Sequence, residues 1–334
     1  MKKRDNTIDV LKGIGIILVV IGHMDTSQIG GGIISYIYSF HMPLFFWISG
    51  YLMYSSKSIK FKEFFIKKFR TIIIPYIIFF IVSIFYGHII VRYIFKQYVI
   101  VFNLKDTLKA LFLSSDWLNS VPTFNFPLWF LMIFFITVIV FYFLDRIQKI
   151  SIFIIVLFLL SIITIPIQKY IEGRPAFSIN VLPASLTFMG IGYLFRKYED
   201  KIKINPISLF LMFTFTLWSS YMYPENIQGI KHYIYFVSAT ASILIYYYIA
   251  KDISGSKLLQ YIGQNSLIIL GTHMLFSYSY QFTFIKKFFS QYWDGVIIFI
   301  INLIYILVLC LIISYLINFI KTYKVKMIIK KYKK

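Results

Sequence analysis

Residues 8–23 read IDVLKGIGIILVVIGH, and this stretch decides the fold. Its apolar residues suit a helix in lipid, yet Asp9, Lys12 and His23 interrupt them. Ionisable groups at membrane depth are costly and face protein or water, so such a helix needs companions around it. At about 100° per residue, Lys12 and His23 differ by only about 20° around the axis and lie about 16 Å apart along it. Asp9, Lys12, Ile16, Val19 and His23 share an arc of roughly 80°. One helix face therefore carries a cation near one membrane surface and a titratable base near the other. The expectation is that this face lines a path across the bilayer, with chemistry at the His23 end.

The rest of the chain supplies the companions. Its 334 residues are 59% hydrophobic and 20% aromatic, and only 14% are charged, against about 25% for a soluble domain. Ten apolar segments repeat along the length, at roughly 8–23, 33–54, 72–95, 127–144, 151–168, 181–196, 205–223, 231–250, 264–284 and 295–319. Several fall short of the ~20 residues that cross ~30 Å, and for the first, fifth and sixth a full span is left open. The predicted fold class is all-α, a polytopic membrane bundle forming one domain over 1–334, with no internal repeat. The leading KKR and the apolar run after it resemble a signal peptide. Lys12 breaks that run and no small-residue cleavage site follows, so the segment reads as a retained span.

Lysine and arginine set the orientation. With the N-terminus in the cytoplasm, ten spans put 24 of the 34 basic residues inside and nine outside, with Lys12 in the membrane. The net charge of +21 is then positive-inside topology plus contact with anionic membrane lipids, and nucleic acid is not a partner. The single cysteine, Cys310, falls in a predicted helix, which excludes intramolecular disulfides. The longest outside connection, about 97–126, contains LKDTLKALFL, an amphipathic stretch that Asn103 can cap and that is read equally well as an interfacial helix or as part of a site.

Several further groups carry chemistry. His23 can act as a general base towards an alcohol. In SFHMPLFFWISGYL (39–52), His41 precedes Pro43, which frees backbone groups nearby, and Ser49 and Gly50 allow close approach of a helix or ligand. Arg70 closes the basic cluster of 57–70, placed to hold phosphate. Trp129, in PLWFL (127–131), can stack on a sugar or anchor at the interface. In GQNSLIILGTH (263–273), Asn265, Ser266, Ile269 and His273 share an arc of about 100°. His88 and His232 read as interfacial. The five histidines lack metal-ligand spacing, so no metal is expected, and no nucleotide motif is present.

Taken in order, IDVLKGIGIILVVIGH, SFHMPLFFWISGYL, KFRTIIIPY, PLWFL and IGQNSLIILGTH resemble the membrane-bound acyltransferase 3 family, close to its fucose 4-O-acetylase-like and polysaccharide acetyltransferase members. The resemblance covers nearly the whole chain. It implies transfer of acetyl from cytoplasmic acetyl-CoA to a hydroxyl of a cell-surface polysaccharide or its lipid-linked precursor, at the bacterial cytoplasmic membrane. His23 matches the family's catalytic histidine and Lys12 its basic partner, with lysine where arginine is commoner. Ser49, Gly50 and Tyr51 match the small-residue signature, and Arg70 a donor-side cation. The candidate site thus comprises His23, Lys12 and His41 as catalytic groups and Lys12 and Arg70 for acetyl-CoA. Asp9, Ser49, Trp129, Asn265 and His273 are its substrate-binding groups, and His41 or His273 can orient His23 or the sugar. Two other classes compete, a polysaccharide exporter without acyl transfer and a proton-coupled transporter. The first calls for a wide polar conduit and the second for an inverted repeat.

Overall fold

A computed structural model describes residues 5–24, 30–54, 59–96, 101–121, 123–171, 173, 175–281, 287–288 and 295–332. Lys2, Lys3, Arg4, Lys57, Arg174, Lys286, Lys333 and Lys334, all part of the charge count, lie outside the described residues.

Twelve helices are assigned over the described residues, here α1 (Asn6–Gly22), α2 (Gly31–Met53), α3 (Phe61–Ile94), α4 (Leu104–Leu113), α5 (Phe126–Leu144) and α6 (Ile150–Tyr170), followed by α7 (Ala176–Lys201), α8 (Pro206–Met222), α9 (Ile234–Asp252), α10 (Lys257–Gln264), α11 (Ser266–Gln281) and α12 (Gly295–Tyr332). The fold is an all-α polytopic bundle, and every apolar segment read from the sequence falls on a helix. Six helices, α3, α5, α6, α7, α9 and α12, are long and apolar enough to cross a membrane, and α8 is a shorter apolar helix.

Helix α1 is the hub. The Asp5 carboxylate caps its start, accepting from the Thr7 and Ile8 amides. It packs against α2, α9, α10 and α11, and Val10, Leu11 and Val20 are fully buried. A helix so enclosed meets little lipid, which is how its polar groups are tolerated. Two crossings bring it and its neighbours close. A side chain at Gly263 would strike the Asp9 carbonyl and one at Gly13 the Leu259 carbonyl, so α1 and α10 touch backbone to backbone. Gly50 and Gly192 do the same for α2 and α7, against the Met189 and Trp47 carbonyls. Gly50 therefore serves packing. The periphery is the reverse of the hub: α6 turns Ile154, Ile155, Phe158, Leu159 and Ile163 outward.

Two expected boundaries are corrected. The third segment begins at Phe61, not near residue 72, so much of the basic cluster continues the helix. It crosses Pro75, which has no N–H to donate, through a π-helical stretch at Phe69–Ile73. The ninth segment, read as starting at residue 264 and with residues 282–284 outside the described residues, is helix α11 and starts at Ser266, after a joint at Asn265 that separates it from α10. There the Asn265 side chain donates to the Tyr261 carbonyl (2.8 Å) and accepts from Asn318 on α12 (2.9 Å), pinning the joint. The LKDTLKALFL stretch is helix α4, capped by Asn103 on the Asp106 amide.

Candidate active site

Two cavities lie against α1. The first, of about 290 Å³, is lined on α1 by Lys12, Ile16 and Val19, and elsewhere by Ser49, Lys68, Thr71 and Gln264 among mainly apolar neighbours. The second, of about 200 Å³, is lined by His23, Tyr38, His41, Phe126, Trp129, Asn226 and Gln228. Met42 of α2 and Leu270 of α11 line both, so these two side chains form the partition between a cationic chamber and an imidazole chamber.

The imidazoles are ordered by backbone. His273 Nδ1 lies 3.0 Å from the Ile269 carbonyl and 2.9 Å from that of Leu270. Carbonyls only accept, so Nδ1 carries the proton and, in the neutral ring, Nε2 is left as an acceptor. His23 Nδ1 lies 3.0 Å from that Nε2 and must donate to it. The His23 Nε2 lone pair is thereby left free for a substrate proton. The two rings are nearly parallel, at 25°, with centroids 5.2 Å apart, while Phe126 meets His23 edge-on. His41 follows the same rule. Its Nδ1 donates to the Ile37 carbonyl (2.8 Å), which leaves its own Nε2 as an acceptor. Pro43 lacks an N–H, so the Ser39 carbonyl one turn earlier loses its helical donor.

The expected residues divide. His23, His41 and Trp129 line the imidazole chamber, and Lys12 and Ser49 the cationic one. His273 stands behind His23, outside the walls of both. Asp9 is buried and its carboxylate accepts from Gln264 (3.1 Å), a wall residue of the cationic chamber. Asn265 serves the α10–α11 joint. Arg70 is exposed and lines neither chamber; Lys68 is the cation of that cluster that does. Tyr51 joins a polar cluster at the Lys12 end, donating to Glu199 (2.9 Å) and contacting Asp5 and Arg196.

Some wall residues were missed from the sequence. Tyr38 and Met42 lie about one turn either side of His41 or next to it, and a face count on α2 would have found them. Lys68 was read only as one of the basic residues of its cluster, with Arg70 singled out in its place. Asn226 and Gln228 sit in a loop with no periodic signal. Among the described residues, no group of three or more His, Cys, Asp or Glu could hold a metal ion.

A family model described as an acyltransferase domain, that of the acyltransferase 3 family, matches residues 5–316, and the chain belongs to this family. No curated protein and no solved structure matches it. With its apolar helices, the chain is a multi-pass membrane protein, and its family chemistry is acyl transfer to a hydroxyl.

Proposed function

We propose that this acyltransferase takes acetyl from acetyl-CoA on the cytoplasmic side of the bacterial cytoplasmic membrane. It passes the acetyl to a hydroxyl of a surface polysaccharide or its lipid-linked precursor on the other side. The observation that carries the reading is the pair of chambers meeting at Met42 and Leu270, one with Lys12 and Lys68, the other with His23 and His41.

The donor is a polyanion with a long flexible arm. Lys68 and the exposed cations of the same helix, Lys67 and Arg70, suit its phosphates. The first chamber, mostly apolar with Lys12 in its wall, suits the arm and the thioester. In the second chamber, His23 Nε2 takes the proton of the acceptor hydroxyl. The hydroxyl oxygen attacks the thioester carbonyl carbon, the C–S bond breaks, and the departing thiolate recovers the proton from His23. His273 and its two carbonyls hold the His23 ring in the productive tautomer, and His41 Nε2 accepts a hydrogen bond from the acceptor.

Reconstituted protein given labelled acetyl-CoA and de-O-acetylated polysaccharide fragments tests this. His23→Ala should abolish label transfer with membrane abundance unchanged; transfer that persists would remove His23 from the mechanism. In cells, a deletion should lower the acetyl content of the surface polysaccharide without lowering its yield. Lost polysaccharide with normal acetylation would support export instead.

A further inference from the structure

The loop between α8 and α9 has no assigned role, yet it forms one wall of the imidazole chamber through Asn226, Ile227 and Gln228. It is held from three directions. Gln168 of α6 donates to the Ile227 carbonyl (2.9 Å) and accepts from the Ile230 amide (2.6 Å). The buried Glu225 carboxylate accepts from the Lys231 and His232 amides (3.1 and 3.3 Å) and pairs with the His232 ring. Ile227 and Ile230 are buried at 1% and 2% exposure, so the loop is anchored by apolar side chains as well. Within it, Asn226 Oδ1 accepts from the Gln228 amide (2.9 Å), fixing the backbone from which Gln228 projects.

Gln228 Nε2 is buried and has no hydrogen-bond partner among the described residues. A buried donor without a partner is costly, so a site that keeps one is suited to a ligand that supplies the acceptor. The same wall holds Trp129, an aromatic face, and Tyr38, which donates its hydroxyl proton to the Gly22 carbonyl (2.6 Å) next to His23. An aromatic face, a rigid amide donor and a base within one chamber of about 200 Å³ is an arrangement that recognises a single hydroxyl-rich ring.

We propose that the Glu225–Ile230 loop is the acceptor-selecting element, with the Gln228 amide donating to a hydroxyl or ring oxygen next to the hydroxyl that is acylated. The acceptor class is a pyranose or similar polyol ring carrying that neighbouring oxygen. The inference rests on the acyl-transfer reading above, and it gives the choice of acceptor to a loop rather than to the membrane helices.

Steady-state kinetics of the reconstituted full chain test it, with acetyl-CoA and oligosaccharides from de-O-acetylated surface polysaccharide as probes. Gln228→Leu should raise the acceptor KM about tenfold. It should leave the KM for acetyl-CoA within about twofold. Gln228→Asn, which keeps an amide at a half-buried loop position, covers the case in which Gln228→Leu fails to fold. Oligosaccharide binding to His23→Ala protein, with and without the Gln228 change, supplies a readout independent of turnover. Weaker binding on loss of Gln228 supports the loop even if the wild-type protein transfers no acetyl, a result that counts against the acyl-transfer reading alone. An acceptor KM and oligosaccharide affinity both unchanged by the Gln228 variants would overturn the proposal.

Discussion

The free lone pair of His23 exists because two carbonyls about one turn before His273 on its own helix leave that ring no choice of tautomer. The pair acts as one unit, so His273→Gln should lower kcat by about 10²-fold, towards the lower end of what acid–base groups contribute, with both KM values nearly unchanged. Single-turnover transfer measured beside circular dichroism separates this from a folding defect. An unaltered kcat would mean that His23 needs no orienting partner. Individual residues were legible from the sequence where an ionisable group sat in an apolar run, as Lys12, His23 and His41 do. For His273 the sequence left open whether it or His41 orients His23 or the sugar, because 250 residues separate it from His23 and only tertiary packing joins them. Arg70 shows a different limit. Charge identity pointed to it, whereas the chamber is reached by Lys68, two positions earlier on the helix. Gln228 gave no signal, since one glutamine in PENIQGI is ordinary loop chemistry until the fold aims it.

At the scale of elements, the helices that build the chambers differ from those that face lipid. Hydropathy identified α12 readily, and it found α6 as a shorter run; both are long and apolar enough to cross a membrane, yet each also carries a polar anchor, Gln168 on α6 and Asn318 on α12. The joint at Asn265 falls where the same reading started its ninth segment, but the part its side chain plays in holding α10, α11 and α12 together was hidden until the helices were packed. The π-helical passage before Pro75 was equally hidden, although the proline itself announces a disturbance. Helices α2 and α11 each contribute one partition residue, Met42 and Leu270. On the proposed route their size limits which acyl group reaches His23. Met42→Ala should therefore raise the ratio of kcat/KM for butyryl-CoA over acetyl-CoA by about 10-fold or more. Competition between the two donors measures that ratio directly. No change would place the acyl route elsewhere.

Across the whole molecule, the two ends of the bundle are chemically distinct. At the Lys12 end, Asp5, Tyr51, Arg196, Glu199 and Tyr247 join the start of α1 to the ends of α2 and α7 and the latter part of α9. At the His23 end, the α8–α9 loop and the start of α5 close over the imidazoles. This segregation agrees with the alternation that the basic residues imply, although the loop count alone could not say which helix ends meet. In a Cys310→Ser background, a cysteine at exposed Lys231 should react with a membrane-impermeant maleimide in intact cells. One at exposed Lys201 should react only after the cytoplasmic side is opened. Labelling of both from the same side would break the assignment of donor and acceptor faces.

The enclosure of α1 by α10 and α11 also has a consequence for biosynthesis. The helix that holds Lys12 and His23 emerges from the ribosome about 250 residues before the partners that meet it backbone to backbone at Gly13 and Gly263. Until they arrive, its ionisable groups must be sheltered by early neighbours such as α2 or by the insertion machinery, because lipid offers them no partners. The site is thus closed among the last steps of assembly. A ribosome that stalls before residue 257 leaves Lys12 and His23 without the two helices that close around them.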